Sequence, residues 1–185
     1  MIKVIDDFLP DMVFKTMHDM IHSNHFQWQY EAQSSSATVN VDDHMMSSMI
    51  YSFRQKDLNF DSFWHIFFQT HHHYTPFQVP IRLKANLYLN KGKRISHSPH
   101  TDITNNNYSD GIEPNVVTSV FNFHDCNGST NIIKSDGSEE IVESKANRIV
   151  FFDNGPHYGV TQDDQPIRIV LNMNVWTKVP DGLMQ

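Results

Sequence analysis

Cysteine is nearly absent: Cys126 is the only one in 185 residues. A single thiol forms no intrachain bridge, so a disulfide scaffold is excluded. Basic residues are scarce as well. Fourteen Lys and Arg stand against 21 Asp and Glu, a formal net charge of −7. A phosphate-binding surface needs clustered Lys and Arg, and the one basic cluster, Lys91-Gly92-Lys93-Arg94, is short. No nucleic-acid partner is expected. Long apolar runs are missing too. Ile149-Val150-Phe151-Phe152 falls far short of the roughly 20 residues that span a membrane. The opening Met1-Ile2-Lys3-Val4-Ile5-Asp6-Asp7 carries acids early and has no apolar core. Neither a signal peptide nor a membrane association is expected, and the expected location is cytoplasmic.

What is abundant is histidine, 12 residues in all. Histidine is the commonest metal ligand and the acid/base closest to neutrality. The length predicts one domain over residues 1–185, large enough to bury roughly 70% of its unfolded surface without a disulfide or structural metal. Val13, Met17, Met20 and Ile21 recur at helical steps after Pro10-Asp11, which predicts a helix of about three turns. A second helix is predicted from about Asp57 to Thr70, and a strand near Thr38–Val41. From residue 79 the period changes to two. Val79, Ile81, Leu83, Ala85, Leu87 and Leu89 alternate with Pro80, Arg82, Lys84, Asn86, Tyr88 and Asn90. Further strands are predicted at Val116–Phe123, Asn131–Ile133, Glu140–Val142, Arg148–Phe152 and Ile167–Trp176, with turns at Asn127-Gly128, Asp136-Gly137 and Asn154-Gly155. The expected fold is mainly β with flanking helices. A helical front part (about 1–75) packs on a jelly-roll core (about 79–178).

Three places carry candidate chemistry. In His100-Thr101-Asp102 an extended backbone turns residues i and i+2 to the same face, so an imidazole and a carboxylate address one point. Alone, such a tripeptide is also a common polar loop. His157 follows an apolar strand and a Gly155-Pro156 turn, and alone it reads as a surface histidine. Arg168 interrupts the apolar Ile167–Trp176. Its parity partners are Val170, Asn172 and Asn174, so that face either meets water or lines a polar cavity.

Together these elements are far more specific. The order H-x-D, strands, His157 and then Arg168 resembles the iron(II)- and 2-oxoglutarate-dependent oxygenases, particularly the prolyl 4-hydroxylase-like branch. Leu87-Tyr88-Leu89-Asn90 resembles the family's strand with an inward tyrosine. Val117–Phe123 and Asn127-Gly128-Ser129-Thr130 resemble its central strand and glycine turn. Arg148–Asp153 resembles the strand before the distal histidine, and Ile5–Pro10 its usual opening. The resemblance covers about residues 3–178. It implies a double-stranded β-helix core in which His100, Asp102 and His157 hold Fe(II) as a facial triad. It implies that Arg168, with Tyr88, binds the far carboxylate of 2-oxoglutarate, and that Asn122, Asn172 and Asn174 line the pocket. Dioxygen would be cosubstrate and ascorbate a stimulant. The implied reaction hydroxylates an aliphatic C–H of a peptidyl proline, another amino-acid side chain or a small metabolite, and converts 2-oxoglutarate to succinate and CO2. Three departures stand out: the glycine pair is Gly128-Ser129 here, Asn122 replaces a second tyrosine, and the span from Tyr88 to His100 is longer.

Two competing readings are a silent jelly-roll module that binds a ligand or protein, and a zinc hydrolase using His97, His100 and His157. The latter lacks an H-E-x-x-H glutamate. His97 reads as a loop residue or a neighbour of the metal ligands. His71-His72-His73 sits near a helix end, where it either favours the C-terminus when protonated or binds metal adventitiously, and it is not assigned to the active site. His124 with Cys126 reads as a soft metal site or as a small buried hydrophobe beside a histidine. Residues 34–48, residues 95–114 and the first part of the chain are the expected substrate-selecting segments, and Thr104–Asp110 reads as a lid or as an ordinary loop.

Overall fold

The computed structural model describes residues 1–32, 44–53, 55–56, 64–105 and 111–180. The predicted strand at Thr38–Val41, the first part of the second predicted helix and the tip of the 104–110 loop lie outside the described residues.

Among the described residues thirteen elements follow one another: β1 (Ile2–Ile5), α1 (Asp11–Ile21), β2 (Gln29–Glu31), β3 (Met45–Ser52), β4 (Gln55–Lys56), α2 (Trp64–Tyr74), β5 (Val79–Leu89), β6 (Val116–Asn122), β7 (Ser129–Ile133), β8 (Glu139–Glu143), β9 (Arg148–Asp153), β10 (His157–Val160) and β11 (Ile167–Trp176). All strand pairs are antiparallel. The large sheet runs β1-β9-β6-β11-β5-β3-β2 with β4 on β3, and the small sheet runs β10-β7-β8. This is a jelly-roll core, as predicted. The front part is not purely helical, because β1 to β4 join the large sheet.

Period two divides each central strand between two cores. On β11, Ile169, Leu171, Met173 and Val175 face one way. They pack with Phe121, Phe123 and Phe151 against Met17 and Ile21 of α1 and Trp64, Phe67 and Phe68 of α2. Phe8, leading into α1, meets Phe67, Phe121 and Phe151 with ring centroids 5.8, 5.9 and 6.1 Å apart. The other face holds Tyr88, Val120, Val150, Phe152 and Val170, which meet Ile132 and Val142 of the small sheet. The opening segment is pinned by Asn147. Its positive φ of 60° is tolerated by asparagine, and its side-chain amide bonds Leu9 N–H and Leu9 C=O at 2.9 and 2.8 Å.

α1 starts at Pro10, whose carbonyl accepts from Val13 and Phe14 N–H at 2.8 and 2.9 Å. α2 runs to Tyr74, four residues past the predicted end. His71 therefore lies inside it and is wholly buried. Its Nε2 bonds Ser119 Oγ at 2.9 Å. Burial first, then the neighbouring His72, pushes its pKa down to about 3. The prediction that this run favours the helix C-terminus when charged fails for His71, which is a neutral core residue.

Candidate active site

The parity left open in the sequence resolves in favour of a cavity. Arg168 is 1% exposed. A cavity of about 190 Å³ between the sheets is lined by Arg168, Tyr88 and Thr130 at one end and by His100, Asp102, His157 and Asn172 at the other.

His100 and His157 are 57 positions apart in sequence but form one antiparallel backbone pair. His100 N–H donates to His157 C=O and His157 N–H to His100 C=O, each at 3.0 Å. Directly paired residues put their side chains on the same face, and the ring centroids are 4.7 Å apart. His157 thus opens strand β10 rather than sitting in a turn. Asp102, two residues beyond His100, reaches the same point. Its Oδ1 is 3.7 Å from His100 Nε2 and its Oδ2 is 3.6 Å from His157 Nε2. Each imidazole contacts a carbonyl two residues back through Nδ1: Ser98 O at 3.2 Å and Gly155 O at 2.9 Å. A carbonyl only accepts, so each neutral ring carries its proton on Nδ1 and points the Nε2 lone pair at the carboxylate. Metal-bound histidines are oriented in this way. Burial, the largest cause, lowers the pKa of His157, while the nearby Asp102 carboxylate opposes it. These ligand atoms all lie within 4.8 Å of one another and form a group able to bind a metal.

Asp102 is held on its other sides. Asn172 and Asn174 each donate an amide N–H to Oδ2 at 3.0 Å, and Arg82 Nη2 meets Oδ1 at 2.8 Å. Burial raises the pKa of this carboxyl, but Arg82, His157 and the two amides outweigh it and hold it well below the usual range. The two asparagines read from sequence as pocket wall are therefore aimed at Asp102. Asn122 lies at the other end, with its Oδ1 3.3 Å from Arg168 Nη2.

The Arg168 guanidinium also touches Thr130 Oγ1 at 3.3 Å and lies 5.6 Å from the Tyr88 ring centroid. Among the described residues its buried Nε has no partner and no carboxylate pairs with it. A buried cation in that state is costly unless an anion arrives. Burial lowers its pKa, which expresses the same demand. Register sets the surroundings: Arg168 pairs with Tyr88, and Asn174 with Arg82, across β11 and β5. Gly128 makes room, because a Cβ there would stand 2.8 Å from Arg168 Cδ and 3.0 Å from Val160 O. A Cβ on Gly159 would lie 3.8 to 3.9 Å from His97 Nδ1, Tyr88 Oη and Arg168 Nη1. Three polar ends thus converge over that glycine. His97 belongs to this end and does not join the His100–His157 group, so the ligand set of the zinc-hydrolase reading is not assembled.

No family model matches the chain, and no curated protein matches it. Solved structures do. A prolyl 4-hydroxylase from Pseudomonas putida superposes with TM-score 0.62 at 14% identity, covering 95% of this chain and 92% of that one. A prolyl hydroxylase from Trichoplax adhaerens, in complex with a hypoxia-inducible factor peptide fragment, gives 0.67 at 11%, covering 95% and 83%. A 2-oxoglutarate-Fe(II) oxygenase family member from Burkholderia pseudomallei gives 0.69 at 7%, covering 96% and 85%. The fold is that of the 2-oxoglutarate- and Fe(II)-dependent oxygenases, prolyl hydroxylases among them. At these identities the likeness establishes the oxygenase fold, and the site residues speak for themselves.

Arg82 and Thr130 were not assigned a site role from sequence, and His97, read there as a loop residue or a neighbour of the metal ligands, lies at the Arg168 end. Arg82 had a signal: it shares parity with Tyr88 on β5. A second imidazole group, His18, His22 and His124, also has metal-like spacing. Its hydrogen bonds argue otherwise. Ile169 N–H contacts His124 Nδ1 at 3.1 Å, so neutral His124 carries its proton on Nε2, which lies 3.0 Å from His22 Nε2. His22 Nδ1 in turn donates to His18 C=O at 2.7 Å. Burial, then His22 and His18, push His124 down to about 4, keeping it neutral. The trio is a directed brace from β11 to α1. Cys126 converges with no metal-binding group among the described residues.

Proposed function

We propose that the chain is a 2-oxoglutarate- and Fe(II)-dependent dioxygenase that hydroxylates an aliphatic C–H, with a peptidyl proline or another amino-acid side chain as the substrate class. One observation carries the reading. A single cavity holds two imidazoles and a carboxylate at one end and, at the other, a buried arginine that has no carboxylate partner among the described residues. The donor set suits a non-haem iron that leaves coordination positions open. The arginine suits the far carboxylate of a dianionic oxo acid.

In this reading His100, Asp102 and His157 hold the metal. Asn172 and Asn174 fix the rotation of Asp102 through its Oδ2. Arg168 binds the far carboxylate by its guanidinium, assisted by Tyr88, while Asn122 and Thr130 hold that guanidinium flat. Val120, Val170 and Phe152 line or back the cavity and limit its water. Bound Fe(II) supplies dioxygen activation coupled to oxidative decarboxylation of 2-oxoglutarate to succinate and CO2, and ascorbate is expected to keep the metal reduced. A peptide bound to the Trichoplax neighbour is consistent with an extended substrate, although folds host many substrates.

Thermal shift tests the site. With Mn(II) present, 2-oxoglutarate at about 100 times its Kd is expected to add about 2.7 kcal/mol of stability. Arg168→Glu is expected to keep the Mn(II) shift and lose the 2-oxoglutarate shift. A cosubstrate shift unchanged in that variant would refute the assigned role of Arg168.

A further inference from the structure

The carboxylate of Asp102 is almost fully engaged before any metal arrives. A carboxylate offers about four lone-pair positions, two per oxygen. Oδ2 accepts from both Asn172 and Asn174, which uses its pair. Oδ1 meets Arg82 Nη2 at 2.8 Å. Arg82 is itself aligned, since its Nε donates to Asn174 Oδ1 at 3.0 Å, and Asn174 also donates to Thr118 Oγ1 at 3.0 Å. One lone pair, on Oδ1, remains to join the two Nε2 pairs. Charge follows the same pattern. The Asp102 side chain is 4% exposed, and the permanently charged Arg82 guanidinium, at 2.8 Å, stands closer to it than either imidazole, at 3.6 and 3.7 Å. The Arg82 side chain, 24% exposed, lines the cavity and can relax toward solvent.

We infer that Arg82 stands in for the metal's charge at Asp102, so that a divalent ion binds in competition with it and takes Asp102 through Oδ1 alone. This inference rests on the proposed metal site. Arg82 is a positioning residue: it acts through the Asp102 carboxylate that it contacts. Two consequences separate it from a merely structural arginine. First, removing the guanidinium leaves a buried carboxylate uncompensated only while the metal is absent. Second, by linkage, whatever Arg82 contributes to the metal-free protein is subtracted from metal affinity.

The test uses Mn(II), with binding followed by titration calorimetry and by the loss of free-ion electron paramagnetic resonance signal. Thermal midpoints are measured with and without the ion. Arg82→Met is expected to melt well below wild type without Mn(II), to regain most of that difference at saturating Mn(II), and to bind Mn(II) about tenfold more tightly. Arg82→Lys keeps the charge and is expected to bind Mn(II) as wild type does. The inference is overturned if Arg82→Met melts below wild type by the same margin with and without Mn(II), or if it binds Mn(II) more weakly. If Arg82→Met does not fold, a Mn(II) affinity in Arg82→Lys weakened tenfold or more overturns it. Absence of Mn(II) binding to wild type would overturn the metal site itself, a different outcome from wild-type binding with no effect of Arg82.

Discussion

At the scale of single residues, two features of the site follow from elementary bookkeeping. Each triad histidine gives its Nδ1 proton to a carbonyl two positions back, which leaves Nε2 as the electron-pair donor. Arg168 passes so close over Gly128 that a side chain there would intrude on it. A methyl group there meets Arg168 Cδ at 2.8 Å, and Val160 O blocks retreat. Overpacking of this kind costs about 1–3 kcal/mol. Gly128→Ala is therefore expected to lower the thermal midpoint and to weaken 2-oxoglutarate binding while sparing Mn(II) binding. Titration calorimetry with each ligand checks the split, and equal weakening of both ligands would contradict it. His100, Asp102, His157 and Arg168 were legible in the sequence because their order and spacing are distinctive. Arg82 was not. Its parity puts it on the right face, but only the register of β5 with β11 shows that it sits opposite Asn174, and only the fold brings Asp102 to both.

At the scale of elements, strict alternation made β5 and β11 readable, and β11 was predicted to its first and last residue. β3 was missed because Met45-Met46-Ser47-Ser48-Met49-Ile50 has no period, and it is buried on both faces. β1 and β10 were missed because they are four residues each, and their pairing comes from distant partners, β9 and β7. α2 yields a pH prediction. In the unfolded chain His71 takes up a proton as pH falls below about 6.5; in the fold, burial pushes its pKa down to about 3. A depressed folded pKa means that the unfolded state binds the proton first. Stability is then fully present above about 6.5 and falls toward pH 3, by up to about 1.4 kcal/mol per pH unit from this group. His71→Gln is expected to flatten the pH dependence of denaturant midpoints across that window by about one proton. An unchanged slope would place His71 outside the core. The same layer predicts that Phe121→Ala, which removes a wholly buried ring touching Phe8, Phe14, Phe67 and Phe123, costs about 3–5 kcal/mol in chemical denaturation.

At the scale of the whole molecule, one large sheet serves two purposes. Its outer face is apolar and carries the helices, and its inner face is polar where the small sheet closes over it. The same alternation that builds the helix-facing core therefore presents Arg82, Tyr88, Arg168 and Asn172 to a shared cavity, with Asn174 buried behind Asp102. A one-residue slip of β11 would exchange these roles. That polar inner face could not be told from a wet one in the sequence, because period says which residues share a face and not what covers it. The central claim is that this cavity turns over 2-oxoglutarate at a metal held by His100, Asp102 and His157. The most direct measurement is succinate formed from 2-oxoglutarate by protein supplied with Fe(II) and ascorbate, wild type beside His157→Ala. Succinate from wild type and a background level from the variant is the predicted result; equal succinate from both would contradict the account.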